Sequence, residues 1–312
     1  MLFALLGSGA LSASTTDPVG WVKVDLAVGF NAIGLNVHNL VTVSGTFESE
    51  TGGVFTDDDY DFGANLTDTD ATYLLELNTG ASAGVVGEIS AISGNTVTLG
   101  ASVPEGDASY TIRKAMTLNE IFGTGVDAKL KGSTAPTAAD IVWIPDGTGG
   151  YDQYFYNTVG EEFYDAGSIF GAPAKPVSVY YPDGMLVQIR DTPVTLWIMG
   201  EVKKTPTIFP ALNGFNLVTV PSPVGQTLAE SKLEDYLRAS TAPTDADIVW
   251  VPNGSGGYTQ YFYHSGDSVW RLASSLFSGD SGDIPIGSAI LIQRRGAATT
   301  GIFSLPAYFS NF

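Results

Sequence analysis

An acidic loop near the start of the chain carries the residues best suited to metal chemistry. Between positions 57 and 68, oxygen-bearing side chains stand first, third, fifth, ninth and twelfth in the run. Ca²⁺ takes several oxygen ligands from a turning backbone, so this spacing predicts a calcium site. The glycine comes seventh rather than sixth, the twelfth residue is not Glu, and no helices flank the run, so a plain acidic loop is the alternative. The candidate ligands are Asp57, Asp59, Asp61, Asn65 and Asp68.

A second set of candidate residues is aromatic and occurs twice in the chain. Exposed Trp and Tyr rings can stack on sugar rings, which makes a glycan site one interpretation. Successive residues of a strand face opposite sides, so Tyr151 is predicted to face away from Tyr154 and Tyr156. Half of the set would then be ordinary core residues. The eight candidates are Trp143, Tyr151, Tyr154, Tyr156, Trp250, Tyr258, Tyr261 and Tyr263.

The residues that catalysis needs are scarce. The chain has no cysteine and only two histidines, His38 and His264, neither of them in an HxxxH or HExxH pattern. The clustered acids Glu161-Glu162 and Asp57–Asp59 are typical of solvated runs rather than of two carboxylates that converge across a cleft. We therefore expect a protein that is not an enzyme and that has no cofactor apart from the calcium ion considered above.

An internal repeat organises these residues. The segments 133–156 and 240–263 are identical at 19 of 24 positions, which indicates a duplicated unit. Shorter matches pair 29–34 with 214–219, 118–122 with 233–237, and 186–190 with 290–294. The chain is thereby divided into an N-terminal segment 1–16, a first unit 17–202 with an inserted β module at about 43–115, and a second unit 205–312.

The elements that carry the repeat are predicted to be short strands. Residues 21–26 alternate apolar and polar types, as a half-buried strand does, and 141–156 indicates a hairpin with a glycine-rich loop of about five residues. Helix is predicted only at 228–239 and at the shorter 117–122, where Thr117 and Glu120 have capping-box spacing. The fold class is all-β: two small units of sandwich or barrel type, each with one short helix, and a barrel-like insertion.

The N-terminus and the charge bear on localisation and partners. Residues 1–11 form an apolar run followed by small residues, which is typical of a secretory signal although no basic residue precedes it. The run is too short to span a bilayer. The net charge of −19 and the lack of basic clusters exclude nucleic acid and anionic membranes as good partners. We expect a secreted or cell-surface protein with no membrane span.

Several segments together resemble a known family. They are 18–24, 29–35, 73–99, 118–123, 139–145, 149–156 and 186–190. They resemble a family of exported β-rich proteins of unknown function, common in Verrucomicrobia and their relatives, in which a Tyr-rich repeat surrounds an insertion of the form found here at 78–84. The resemblance covers roughly residues 17–306. It implies export, and it brings no established activity and no catalytic residues.

These observations predict a structural role outside the cell. Tandem β units with apolar chain ends, at 1–11 and 302–309, indicate a protein that self-assembles into a fibre or surface layer by strand addition. Its partner would be further copies of itself, as a homo-oligomer or homopolymer. The alternative is that 302–309 is simply the last strand of its own unit. A different function, a monomeric carbohydrate-binding or adhesive module that uses the duplicated Tyr/Trp hairpins, stays open.

Overall fold

The structure, a computed structural model, describes residues 18–100, 108–168, 171, 175–254, 256–275 and 277–304. The predicted all-β class is confirmed, because the described residues form 21 strands, three short α-helices and three 3-10 turns. The strands assemble into two five-stranded sheets, two two-stranded ribbons and one seven-stranded sheet, all of them antiparallel. The predicted N-terminal segment 1–16 lies outside the described residues.

The first unit packs a ribbon against a five-stranded sheet. The ribbon pairs β1 (Val19–Leu26) with β14 (Val194–Glu201). The sheet has the order β12-β11-β10-β13-β2. Its strands are β2 (Gly29–Ile33), β10 (Ile141–Pro145), β11 (Tyr151–Asn157), β12 (Glu162–Asp165) and β13 (Met185–Ile189). The inner faces of ribbon and sheet, among them Leu26, Val142 and Leu196, bury each other in one core.

The second unit repeats this arrangement strand for strand. Its ribbon pairs β15 (Thr207–Ala211) with β21 (Thr299–Phe303), and its sheet has the order β19-β18-β17-β20-β16. The sheet strands are β16 (Gly214–Thr219), β17 (Ile248–Pro252), β18 (Tyr258–His264), β19 (Val269–Leu272) and β20 (Ala289–Arg294). Ile302 and Phe303 therefore belong to a strand that pairs within its own unit, and the rest of the C-terminal segment from 305 lies outside the described residues.

The inserted module lies between β2 and β10 of the first unit and forms one seven-stranded sheet of order β3-β9-β6-β7-β8-β5-β4. Its elements are β3 (Val41–Thr46), β4 (Ser49–Thr51), β5 (Val54–Thr56), α1 (Phe62–Asn65), β6 (Tyr73–Leu77), β7 (Val86–Ser93), β8 (Thr96–Leu99) and β9 (Ser109–Lys114). Because its first strand pairs with its last, the module is closed at its base, and it buries a core of its own.

The same turn leads into the first sheet strand of each unit. Gly29 and Gly214 have φ angles of 106° and 102°, a region that side chains with a Cβ rarely adopt. Two residues later, the Asn31 amide accepts from Ala27 N–H and donates to the carbonyls of Ala27 and Gly29, and Asn216 makes the corresponding bonds. The repeated Gly-Phe-Asn motif is therefore a turn device.

A buried aspartate ties three chain segments together in each unit. The Asp140 carboxylate accepts hydrogen bonds from the backbone N–H groups of Lys131 and Arg190, each at 2.8 Å. Asp247 accepts from the backbone N–H groups of Arg238 and Arg295, each at 2.7 Å, and also from the Arg294 guanidinium. The duplicated Asp-Ile-Val-Trp motif thus begins with a structural carboxylate.

The helix prediction at 228–239 is wrong in length. Helix α3 spans only Leu228–Ser231, Lys232 then takes a left-handed conformation, and Leu233–Asp235 form a 3-10 turn. Since the bent path still buries leucines 228, 233 and 237, the apolar pattern is satisfied without three helical turns. The shorter α2 (Leu118–Phe122) begins with the predicted capping box between Thr117 and Glu120.

Two of the predicted repeat alignments are also wrong. Thr227 and Glu230 form the same capping box as in α2, so Leu118 corresponds to Leu228 rather than to residue 233. Strand pairing matches Gln188 with Gln293, which shifts the alignment of 186–190 by one residue, to 291–295. The sequence match misled here because alternating aliphatic residues look alike after a one-residue shift, whereas hydrogen-bonded register distinguishes them.

The two units pack face to face with approximate two-fold symmetry. The backbone N–H of Thr219 donates to the Pro182 carbonyl (3.0 Å), and Gly184 N–H donates to the Leu217 carbonyl (3.1 Å). In the opposite direction, Gly34 N–H donates to the Ser288 hydroxyl (3.2 Å). A Cβ on Gly184 would lie 3.2 Å from Ala289 Cβ, so this glycine permits the close approach of the two sheets. The units therefore form one packed body.

Candidate functional site

The duplicated aromatic residues divide between the two faces of each sheet, as predicted. Tyr154 and Tyr156 pack into the core of the first unit, and Tyr261 and Tyr263 pack into the core of the second. The other four lie on the opposite faces, where Trp143 meets Tyr151 and Trp250 meets Tyr258, both pairs with centroids 6.4 Å apart. Any stacking surface on the hairpins is therefore limited to these two Trp-Tyr pairs, and the glycan role stays a prediction.

The predicted calcium ligands are dispersed among separate hydrogen bonds. Asp57 is buried and accepts from the Tyr110 hydroxyl (2.5 Å) and from Asp59 N–H (2.9 Å). The Asp61 side chain caps α1, and its backbone carbonyl accepts a hydrogen bond from the Asn65 side-chain amide. Asp68 forms an ion pair with Lys114. Within the described residues, no three His, Cys, Asp or Glu side chains come together as a metal-binding group. The calcium site stays a prediction.

The sequence analysis overlooked a G-x-S-x-G pattern, which occurs at residues 80–84. This pattern marks a catalytic serine when it forms a sharp turn from a strand into a helix. Here it forms the turn between β6 and β7, two antiparallel strands, and Ser82 is buried. The context of a nucleophile elbow is therefore lacking at this serine.

A buried ionic network joins the inserted module to both units. Arg113 of β9 donates to Glu76 (2.6 Å), to Glu201 (3.4 Å) and to the Asn39 carbonyl (2.7 Å). Lys203, in the connection between the units, lies 3.7 Å from Glu76 and donates to the Pro206 carbonyl. The four charged side chains of the network are almost completely buried.

The pKa values in this network follow from burial and from its charges. Burial favours neutral Glu76, but the positive charges of Lys203 and Arg113 outweigh it and hold the pKa of Glu76 below its ordinary value. Burial lowers the pKa of Lys203 to about 8 and, together with Arg113, lowers the pKa of His38 to about 3. His38 is therefore neutral at physiological pH, and the ion pairs of the network join the module to the rest of the chain.

A cavity lies where the three parts of the chain meet. It has a volume of about 520 Å³ and is lined by the start of β7 and the end of β8 of the module, by the hairpin loop of the first unit, and by β15 and β16 of the second. Its walls are mainly apolar, and three aromatic rings, Tyr151, Tyr180 and Phe215, line it. A concave, largely apolar cavity with a few polar groups is the usual form of a small-molecule site. We refer to it as the cleft.

Asp183 is the unusual residue of the cleft. Its side chain is partly buried, and among the described residues no side chain or backbone group donates a hydrogen bond to it and no cation pairs with it. Burial, assisted by the negative charge of Glu88, raises the pKa of Asp183 to about 7. Sequence reasoning missed Asp183, since a single Asp before a strand carries no pattern.

We expect Asp183→Asn to stabilise the protein above neutral pH and to leave its stability unchanged near pH 4. A carboxyl whose pKa is higher in the folded state binds its proton more tightly there, so folding stability falls as pH rises from about 4 to about 7. The variant does not lose stability in this way, so its free energy of unfolding at pH 8 should exceed that of the natural chain by roughly 1–3 kcal/mol. Urea unfolding at pH 4, 6 and 8 measures the difference, and a constant difference across this range would contradict it.

A second cavity, of about 400 Å³, is related to the cleft by the approximate two-fold axis. It is lined by the hairpin loop of the second unit and by β1 and β2 of the first, and Tyr258 takes the place of Tyr151. Strand register places Ser288 where the cleft has Asp183, and the inserted module does not reach this cavity. The two cavities therefore share a scaffold but differ in charge.

The outer face of the β1–β14 ribbon is exposed, and beside the ion pair Lys23–Asp25 it carries an apolar area. Trp21 and Trp197 are 65% and 57% exposed, and their rings meet edge to face with centroids 4.7 Å apart. Val19 and Met199 flank them and are 65% and 73% exposed. We call these four residues the ribbon patch. Contiguous exposed apolar side chains of this size commonly mark an interaction surface.

Comparison with known proteins adds no assignment. No protein-family model, curated protein or solved structure matches this chain. Among the described residues, no helix is both long enough and apolar enough to cross a bilayer.

Proposed function

We propose that this chain is an extracellular structural protein whose copies associate through the ribbon patch. The observation that carries the proposal is the pair of exposed tryptophans in edge-to-face contact, Trp21 and Trp197. Tryptophan is the residue most enriched among those that dominate binding energy at protein interfaces. Exposing two of them side by side is costly for a monomer and favourable for an assembly that covers them.

The second unit supports a copy of the chain as the occupant. The ribbon of the second unit carries Ile208 at the position where the ribbon of the first unit carries Lys23. The inserted module contacts the second ribbon at Ile208. The backbone N–H of Ile208 donates to the Gly84 carbonyl at 2.7 Å. The second ribbon is therefore contacted within the chain at Ile208, whereas Trp21 and Trp197 of the first ribbon are exposed. A further copy is the partner that can cover these tryptophans, and contacts that repeat in this way build a fibre or layer.

We expect the double variant Trp21→Ser, Trp197→Ser to associate at least about 30-fold more weakly than the natural chain, because interface tryptophans typically contribute 2 kcal/mol or more each. Sedimentation velocity over a range of concentrations measures association, and negative-stain electron microscopy shows whether filaments or sheets form. Both tryptophans are exposed, so the melting temperature should change little.

The matched control is Val126→Ser, Val159→Ser. Both valines are strongly exposed and lie away from the ribbon, so this variant removes apolar surface without touching the patch. It should associate as the natural chain does. A natural chain that stays a 32.7 kDa monomer at all concentrations, or a Trp double variant that associates normally, would overturn the proposal.

A further inference from the structure

We infer that the cleft binds a small organic cation, an amine attached to an apolar body. The cleft holds three carboxyl side chains, and no Lys, Arg or His is among the described residues that line it. The three carboxyl side chains belong to Glu88, Asp146 and Asp183. Tyr151 and Phe215 place aromatic rings in the same space, and aromatic faces attract cations. The remaining walls are aliphatic and suit an apolar body.

Asp183 and Asp146 differ in the hydrogen-bond donors that the protein provides to their carboxylates. The Asp146 carboxylate accepts from Thr148 N–H (2.7 Å) and Gly150 N–H (2.9 Å), so the hairpin loop already satisfies it. The Asp183 carboxylate has no such donor among the described residues. A partly buried carboxylate without a partner loses part of its hydration, and an ammonium group supplies both an opposite charge and hydrogen-bond donors.

The duplication shows that the fold does not require this carboxyl. At the same position in the second unit, Ser288 makes the corresponding contact with the other unit. The backbone carbonyl of Asp183, not its side chain, accepts from the Thr219 hydroxyl at 2.9 Å. The Asp183 side chain therefore takes no part in the contact between the units. It lines the cleft, which is the cavity that the inserted module also lines.

Binding should be linked to a proton on Asp183. The ionisable groups that face this side chain are Glu88 of β7, Tyr151 of β11, Tyr180 of its own turn, and Asp146 across the cleft. The pKa values of Tyr151 and Tyr180 are raised by burial, so both are neutral below pH 9, and hydrogen bonds from Thr148 and Gly150 lower the pKa of Asp146, which stays charged. Asp183, with its pKa of about 7, is the group whose ionisation changes.

The test uses two probes with the same body, 2-phenylethylammonium and neutral 2-phenylethanol, and isothermal titration calorimetry with the full chain. We expect the ammonium probe to bind at least about tenfold more tightly than the alcohol, since a desolvated charge pair typically adds over 1.4 kcal/mol. Its affinity should rise about tenfold between pH 6 and pH 8, as a group with a pKa of about 7 loses its proton.

Asp183→Asn should remove both the preference for the ammonium probe and its pH dependence. The control Asp152→Asn removes the same charge from an exposed site on β11 and should bind as the natural chain does. Phe215→Ala should weaken both probes. Melting temperatures establish that each variant is folded.

Three results would overturn the inference. They are equal affinity for the two probes, unchanged discrimination in Asp183→Asn, and displacement of the ammonium probe by methyl β-glucoside at equal concentration. The last of these would assign the cleft to sugars. None of them bears on association through the ribbon patch, which Trp21 and Trp197 test separately.

Discussion

Replacing Arg113 with methionine is expected to lower the free energy of unfolding by about 3–5 kcal/mol, because it leaves buried charges without a partner. Arg113 is the only residue that contacts both Glu76 and Glu201 through its side chain among the described ion pairs. Without it, Lys203 faces Glu76 alone from 3.7 Å, and the Asn39 carbonyl loses its donor. Urea unfolding followed by fluorescence at neutral pH measures the change.

The next residue in the sequence provides the control for Arg113. Lys114 also pairs with a carboxylate, Asp68, at 2.5 Å, but both side chains are 43% exposed. Exposed ion pairs are screened by water and contribute little, so Lys114→Met should cost less than about 1 kcal/mol. If the two substitutions destabilise the protein equally, burial of the network does not explain its contribution.

Asp247→Ala is expected to lower the free energy of unfolding by roughly 3–5 kcal/mol, since it removes the buried carboxylate that accepts from two backbone N–H groups and one guanidinium. The donors are the N–H groups of Arg238 and Arg295 and the Arg294 side chain. The equivalent Asp140 accepts two backbone N–H groups without an arginine pair, so Asp140→Ala should cost less.

Thermal and urea unfolding of these two variants and of Asp245→Ala test this order. Asp245 lies two residues before Asp247 but is exposed, so its removal should change stability by at most about 0.5 kcal/mol. A loss at Asp245 as large as that at Asp247 would show that the local chain, not the buried carboxylate, is sensitive.

The sequence was sufficient to predict those elements whose residue pattern is periodic or duplicated. Alternation identified β1, the Gly-rich loop identified the β10–β11 hairpin, and strand parity separated Tyr151 from Tyr154. The capping box at Thr117 was also predictable, because it depends on residues three apart.

Features that depend on distant contacts were out of reach. The network joins Glu76, Arg113 and Glu201, which local spacing does not relate. The path at Lys232 is decided by packing of flanking leucines, which overrides helix periodicity. Asp183 became a candidate only when three separate parts of the chain were seen to surround it.

The time for which a newly made strand waits for its partner strand differs greatly between the parts of this chain. β1 has no partner until β14 is made, since Val19 pairs with Glu201, whereas the module needs only residues 41–114 to close its sheet. At roughly 5–20 residues per second, β1 and its tryptophan, Trp21, wait on the order of ten seconds or more for a partner strand. On every newly made chain, Trp21 is therefore without its strand partner Met199 until β14 has been made.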